Sequence, residues 1–368
     1  MSGPAAGGPA RAGAPGPAPP LAAAAAPPAA ARPARGPTAC GQRARSILKL
    51  ALAGALLWWL LASGRLEPGQ LRRVLASGSA LGLAIAVIGA GLLVMALRWW
   101  LLLRAVEVRL GFGRTLALAM IGHFFNTFLP GGAGGDAARM LYVAREAAPR
   151  QKLEAATTVA IDRLLGLASL VLVFLLGCAA QLASGQEQVL ARLLAPLEDW
   201  LVVLAAAAGA LALAVAAALH PRVHGSARLR GALGRLPGAG AGLRVMRTFL
   251  RTARSGRTVL LALLLSVAVH LAIVGCFLAF GRALGDTLGI AQYATIVPLG
   301  LLINAIPGPP QGLGVGELAF ETLFGLATGT AGSVGTEVCL AWRLVQNGWN
   351  LVGGLFYVTF RSAGPHQA

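Results

Sequence analysis

Six long apolar stretches are the feature that most constrains how this chain can fold. A helix rises about 1.5 Å per residue, so about 20 apolar residues cross the ~30 Å hydrocarbon core of a bilayer. The stretches long enough to do so are approximately residues 47–64, 75–103, 155–181, 200–219, 258–281 and 334–360. Apolar residues make up 57% of the chain and charged residues only 12%, which excludes a water-soluble globular protein. We predict an all-α, polytopic membrane protein.

Two further apolar stretches, residues 115–148 and 290–330, are interrupted in the middle by Pro and Gly. Each half has about 12 to 16 residues, too few to cross a bilayer alone. Inside a membrane such a break is tolerated only where protein or a water-filled cavity satisfies the freed backbone groups. We therefore predict that both stretches are re-entrant hairpins, in addition to the six spanning helices.

Arginine-rich segments between the spans predict the orientation in the membrane. Residues 1–45, rich in Ala, Pro and Gly and without an acid, are expected to be a disordered cytoplasmic tail. The linker 220–257 contains nine arginines and no acid, whereas the loop 182–199 contains Glu187, Glu198 and Asp199. The positive-inside rule then places the N-terminus and this linker in the cytoplasm.

Two other arginine-containing segments also bear on the predicted orientation. The segment that follows the second span, with Arg98, Arg104 and Arg109, is counted as cytoplasmic. The loop 65–73 carries three arginines on the expected outer side, and the nine-arginine linker outweighs it. The net charge of +18 therefore comes mainly from basic segments that set the orientation in the membrane. We expect the linker to contact anionic lipid headgroups and not nucleic acid.

The two breaks repeat one pattern: an Asn, apolar residues, a Pro-Gly pair, further glycines and a carboxylate that opens the next helix. The first break contains Asn126, Pro130, Gly131, Gly132, Gly134, Gly135 and Asp136. The second contains Asn304, Pro307, Gly308, Gly312, Gly314 and Glu317. With the predicted orientation the hairpins enter from opposite faces, as in an inverted-repeat transporter whose binding site lies near the bilayer midplane.

A helix that restarts after a Gly cluster presents free N–H groups and a positive dipole end, which favour an anion such as phosphate. Asp136 and Glu317 lie near these restarts. The alternative is that both are ordinary carboxylates at helix N-termini, where they stabilise the helix.

Charged residues at membrane depth are costly and usually face an interior partner. Asp162 and Arg163 lie in the third span and point about 100° apart, so we expect them to pair with different groups. Arg163 and Arg343 are the cations expected to meet an anionic headgroup, with structural pairing to Asp136, Glu317 or Glu321 as the alternative. Arg139 either joins this site or extends to the membrane surface.

No motif of a nucleotide-driven motor, hydrolase or metalloenzyme is found in the sequence. The four cysteines form no Cys-x-x-Cys pair and no ligand cluster. We expect no cofactor, no metal and no enzymatic activity.

The segments Phe125–Arg139, Ile161–Leu167 and Pro307–Glu317 resemble the membrane domain of the lysylphosphatidylglycerol synthases and of their stand-alone relatives, the flippase-like domain proteins. The resemblance covers residues 46–361, followed by a short tail at 362–368. It implies a protein that moves a polar lipid between leaflets. The separate synthase domain of the full-length enzymes is not expected here. Gln311 and Gly316 differ from the usual family pattern, so the lipid specificity does not carry over.

The leading hypothesis is a bacterial inner-membrane flippase for a polar, anionic lipid, working by alternating access without nucleotide. The expected partners are a membrane phospholipid or glycolipid, and either further copies of the chain or a lipid-modifying enzyme. One alternative is an integral-membrane enzyme with Asp136, Asp162 or Glu317 as general base. Another is an accessory or scaffold subunit whose glycines serve close helix packing.

Overall fold

A computed structural model describes Gly3 and residues 78–128, 133–197, 239–305, 314–330 and 334–360. Within these ranges the chain forms ten α-helices and no strand. The helices are α1 (Gly78–Ala105), α2 (Phe112–Asn126), α3 (Ala133–Glu146), α4 (Lys152–Ala183), α5 (Glu187–Leu194), α6 (Ala239–Arg254), α7 (Gly256–Ala283), α8 (Ile290–Asn304), α9 (Val315–Thr328) and α10 (Gly335–Thr359). The all-α prediction is confirmed for this part of the chain.

Three helices, α1, α4 and α7, are long and apolar enough to cross a membrane. Their outer faces expose large apolar side chains, among them Leu93, Leu175 and Leu264, as expected where lipid is the solvent. They match the spans predicted at 75–103, 155–181 and 258–281. The predicted spans 47–64 and 200–219 lie outside the described residues. The sixth, 334–360, forms the 25-residue helix α10, which contains several polar side chains and does not meet the same criterion of length and composition.

Both interrupted stretches fold as two short helices that pack on each other. In the first stretch α2 ends at Asn126 and α3 begins at Ala133. In the second stretch α8 ends at Asn304 and α9 begins at Val315. Each helix has 14 or 15 residues, or about 22 Å, which is shorter than a bilayer core. We call α2–α3 the first hairpin and α8–α9 the second hairpin.

The order and the lengths of the helices repeat within the described residues, and we call α1–α4 and α7–α10 the two repeats. Helices α1, α2 and α3 have 28, 15 and 14 residues, and α7, α8 and α9 have the same three lengths. Helix α7 begins 178 residues after α1, and α8 begins 178 residues after α2. A longer helix follows each hairpin, α4 in the first repeat and α10 in the second.

The two repeats meet where α1 crosses α7. A β-carbon placed on Gly91 of α1 would lie 3.4 Å from Cγ1 of Val269, the residue 178 positions later. A twofold relation between the repeats would bring equivalent positions together in this way. Farther along α1, Arg98 donates to Ser266 Oγ, 2.6 Å away and earlier in α7, so the two helices run antiparallel.

The repeats also exchange contacts through their hairpins. Helix α2 packs on α10 of the second repeat, and α8 packs on α4 of the first repeat. Glycines permit both approaches, because a β-carbon on Gly353 would collide with the Met120 carbonyl and one on Gly177 would collide with the backbone of Ala294. Each hairpin is therefore held between its own repeat and the other one.

The basic linker predicted at 220–257 includes α6, so part of it is helical. The predicted tails at 1–45, apart from Gly3, and at 362–368 lie outside the described residues.

Candidate functional site

A cavity of about 340 Å³ lies between the two hairpins and the helices that follow them. Polar and charged side chains from both repeats line it. They are Arg98, His123, Asn126, Asp136, Arg139, Asp162, Arg163, Ser266, His270, Asn304, Arg343, Gln346 and Asn350. Apolar side chains of α1, α4, α7, α8, α9 and α10 complete the lining.

An ion-pair network forms the first-hairpin side of the cavity. Asp136, in the first turn of α3, lies 2.9 Å from Arg163 Nε and 3.5 Å from Arg139 Nη1. Arg139 also donates to Asp162 Oδ2 at 3.0 Å. Asp162 accepts from Arg98 Nε at 2.7 Å through its other oxygen. Two carboxylates therefore join three arginines from α1, α3 and α4.

Asp162 is the buried centre of this network, since its side chain is 3% exposed and that of Arg98 is 4% exposed. A buried charge is tolerated when it is paired and hydrogen-bonded on every side. The guanidinium of Arg139 also lies 4.2 Å from the ring centroid of Trp99, in cation–π contact. The Trp99 Nε1–H in turn donates to Thr158 Oγ1 at 3.0 Å.

The carboxylate of the second hairpin pairs with one arginine of α10. Glu317 Oε2 lies 3.3 Å from Arg343 Nη2 and accepts the N–H of Gly314 at 2.8 Å. Gly314 has φ of 82°, a backbone conformation that favours glycine. This turn lets the Glu317 side chain reach back and cap the start of α9.

Within each hairpin, the Asn that ends the first helix lies next to the Gly that precedes the carboxylate. In the first hairpin Asn126 Oδ1 accepts the N–H of Gly135 at 2.9 Å. In the second hairpin Asn304 Oδ1 lies 3.0 Å from where a β-carbon on Gly316 would stand. That oxygen is buried and has no hydrogen-bond partner among the residues that the structure describes. The equivalent bond is thus made in one hairpin and not in the other.

A family model described as "Lysylphosphatidylglycerol synthase TM region" matches residues 46–354. The chain belongs to this family. The match includes both hairpins and the cavity, and it confirms the resemblance found in the sequence. Neither the comparison with curated proteins nor the comparison with solved structures gave a match. Membership of the lysylphosphatidylglycerol synthase membrane-region family indicates a lipid-related role in a membrane.

The residues predicted for the site fall into three groups in this family member. Seven of them line the cavity: Asn126, Asp136, Arg139, Asp162, Arg163, Asn304 and Arg343. Four more are at the helix starts beside it: Gly134, Gly135, Gly314 and Glu317. The remaining six lie outside the described residues: Pro130, Gly131, Gly132, Pro307, Gly308 and Gly312.

Two sequence-based interpretations change in the structure. Of the N–H groups at the two helix restarts, which were expected to be available to an anion, that of Gly135 donates to Asn126 Oδ1 and that of Gly314 to Glu317 Oε2. Arg139 does not extend to a surface but is buried between Asp136 and Asp162. Asp162 and Arg163 pair with different groups, as predicted, and Arg163 and Arg343 make the structural ion pairs that the sequence had left as an alternative.

Arg98 is the main site residue that sequence reasoning missed. Its charge had been counted with the cytoplasmic segment after the second span, but it lies in α1 and is 3% exposed. The signal was available, because Arg98 stands alone in a run of apolar and aromatic residues, where a charge usually has a buried partner. His270 was set aside as a satisfied core histidine, and its Nδ1 does lie 2.8 Å from Ser169 Oγ.

Proposed function

We propose that this protein moves a polar, anionic lipid headgroup between the two leaflets of a bacterial inner membrane. The headgroup occupies the cavity between the hairpins, while the acyl chains stay in the surrounding lipid. The observation that carries the proposal is the presence of Arg98, Arg139, Arg163 and Arg343 around one cavity in a protein with apolar spanning helices.

Arginine suits this task because its planar guanidinium binds phosphate oxygens in a bidentate manner and stays charged. Three carboxylates, Asp136, Asp162 and Glu317, accompany the four arginines. The group therefore carries one excess positive charge, which the negative charge of an entering phosphate balances. A volume of about 340 Å³ is at the lower end of ordinary ligand pockets and fits a headgroup better than a whole lipid.

The repeat supplies a mechanism for access from both sides. Helices α1 and α7 are antiparallel and cross the membrane. A twofold axis that exchanges the two repeats is perpendicular to both helices, so it lies in the plane of the membrane. The hairpins then re-enter from opposite faces, with the N-terminus in the cytoplasm, and act as two equivalent gates.

In the described state the Asn126–Gly135 bond is made and its counterpart at Asn304 is not. In the alternate state the Asn304 oxygen accepts the N–H of Gly316, and the first hairpin is released. The exchange needs no nucleotide, since the lipid gradient or an ion gradient sets its direction.

Leaflet sidedness of labelled lipids in proteoliposomes tests the proposal. Purified protein is expected to accelerate the movement of anionic phospholipids, and replacing Arg343 by Gln is expected to slow it about tenfold or more, because a charge-assisted hydrogen bond is lost. Arg192→Gln, on exposed α5, is the matched control and is expected to leave the rate unchanged.

The proposal would be contradicted if the wild-type protein accelerated the movement between leaflets of none of the anionic lipids and glycolipids in a panel. Covalent turnover of a lipid, abolished by Asp136→Asn, would instead establish an enzyme. Unchanged cellular lipid composition with the folded variants Asp136→Ala and Arg163→Ala would support an accessory subunit.

A further inference from the structure

Helix α6, outside the cavity, is amphipathic and basic. Arg244, Arg247, Arg251 and Arg254 recur at intervals of three and four residues, which places them on one side of a helix. All four are exposed, and α6 contains no acidic residue.

The other side of α6 is fixed to the helix bundle. Thr248 and Thr252 are buried, and each hydroxyl donates to a carbonyl oxygen one turn earlier at 3.0 Å, so neither is left unsatisfied. Phe249 packs into an apolar cluster formed by Leu102, Ile161 and Ala262. One face of the helix is thus held and the arginine face is turned outward.

The connection to α7 fixes the depth of α6. Helix α6 ends at Arg254, and α7, one of the three membrane-span candidates, begins at Gly256. Ala262 lies about 9 Å along α7 from that start, yet Phe249 shares its cluster. Helix α6 therefore lies beside the first two turns of a candidate span, where the headgroup region of a bilayer is expected. Met246, exposed beside the arginines, presents an apolar side chain at the same level.

The surroundings of this basic face are also positive. Arg104 at the end of α1 and Arg257 at the start of α7 are both exposed. Glu107 forms an ion pair with Arg251, which leaves the charges of Arg244, Arg247 and Arg254 for an external anion. A basic amphipathic helix at this depth is the arrangement that binds anionic lipids at a membrane surface.

We propose that the arginine face of α6 is a binding surface for anionic phospholipid headgroups in the leaflet at this end of the molecule. The surface is separate from the cavity. It is close to it, however, because Ile161 precedes Asp162 in α4, and Leu102 and Ala262 lie one turn from Arg98 and Ser266. Lipids bound to α6 stand beside the wall of the cavity.

Photo-cross-linking of the full chain in vesicles tests this surface directly. The protein is reconstituted in phosphatidylcholine vesicles that contain a trace of photoactivatable phosphatidylglycerol or of photoactivatable phosphatidylcholine. The cross-linking yields of these two lipids on peptides from residues 239–257 are then compared. Phosphatidylglycerol is expected to label these peptides more strongly, and less so at about 1 M salt, where the screening length falls to about 3 Å.

Three variants separate charge from structure. Arg247→Gln with Arg254→Gln is expected to lower the phosphatidylglycerol yield on α6, by about fivefold for each arginine. Arg247→Lys with Arg254→Lys keeps the charge and is expected to retain most of the yield. Arg192→Gln removes one exposed charge on α5, which follows the far end of α4, and is expected to change nothing on α6.

Equal yields for the two lipids, or a yield that the Gln variant leaves unchanged, would overturn the proposal. A basic face made for nucleic acid or an acidic protein would give the first of these results. Cross-linking reports binding at equilibrium and requires no transport, so a failure of the α6 surface and a failure of the flippase proposal are distinguishable.

Discussion

The two hairpins have the same helix lengths and the same order of Asn, Gly and carboxylate, yet their interiors differ. The first hairpin places Arg139 against Gly122 and continues through Asp162 to Arg98. At the equivalent point the second hairpin places the ring of Phe320 against Gly300, stacked on Phe277 with ring centroids 5.0 Å apart. One helix break is thus supported by a charged network and the other by an aromatic one.

This difference shows that the break and its chemistry are set by different residues. Gly and Pro end the first helix of each hairpin, and the carboxylate restarts the second. The side chain three positions after the carboxylate, Arg139 or Phe320, then decides how much charge the hairpin buries. Because a charged network depends on every member being paired, we expect the first hairpin to be the more sensitive of the two to mutation.

The largest effect is expected for Asp162→Asn. The change leaves Arg98 and Arg139 buried beside a neutral side chain, and breaking a buried ion pair in this way costs about 3–5 kcal/mol. Unfolding of the purified protein by SDS in mixed micelles measures the loss. Glu317→Gln, which affects one arginine, Arg343 of α10, is expected to cost less. An equal or larger loss for Glu317→Gln would contradict the proposed difference between the hairpins.

Alanine at the glycine before each carboxylate is the next test. At Gly135 a β-carbon would meet the backbone oxygen of Gly122 as well as the Asn126 side chain, whereas at Gly316 it would meet only the ends of the Arg343 and Asn304 side chains. Backbone cannot move aside as a side chain can, so Gly135→Ala is expected to cost about 1–3 kcal/mol and Gly316→Ala less. Gly113→Ala, with open space around it, is the control. The same unfolding assay would refute this expectation by giving the reverse order.

The two asparagines allow a smaller, matched comparison. Asn126→Ala removes the acceptor of the Gly135 N–H and is expected to cost about 1 kcal/mol. Asn304→Ala removes an oxygen that has no partner among the described residues, so the stability of the folded state should be nearly unchanged. Equal losses for both variants would show that the Asn304 oxygen is satisfied in solution.

Among the ion pairs, the smallest effect is expected at the ends of the first hairpin. Arg114 Nη1 lies 2.8 Å from Glu146 Oε2 with its side chain 39% exposed, and the second hairpin has Gln292 at the position equivalent to Arg114. The Glu146 side chain is only 3% exposed, but Gln at position 114 can still donate an N–H to its carboxylate, so Arg114→Gln should cost no more than about 1 kcal/mol. A loss as large as that of Asp162→Asn would place the critical ion pair at this end instead of at the cavity.

Much of this architecture is predictable from the sequence, for reasons that particular residues make clear. Asn126 and Asn304 end their helices because Pro130 and Pro307 follow within four residues, and proline and glycine cannot continue a helix without cost. Asp136 and Glu317 begin the next helices, where a carboxylate is favourable. These are local effects, and the spacing alone reveals them.

The partners of the charged groups depend on the packing of distant helices and are not predictable in this way. Asp162 meets Arg98 across 64 residues of chain, and no local pattern connects them. The occupation of the Gly135 N–H by Asn126 likewise depends on how closely α2 and α3 approach, which Gly122 and Gly135 together permit.

The most direct test of transport through the cavity is to fill it while keeping its charges. Gly166 lines the cavity, and a β-carbon there would make only ordinary contact with Arg98, at 3.6 Å. Gly275, with nothing within 4 Å of the same position, provides a matched control in α7. We predict that proteoliposomes with Gly275→Leu move anionic lipid at the wild-type rate, and that those with Gly166→Leu lose most of the movement. Movement at the wild-type rate by a folded Gly166→Leu protein would contradict transport through this cavity.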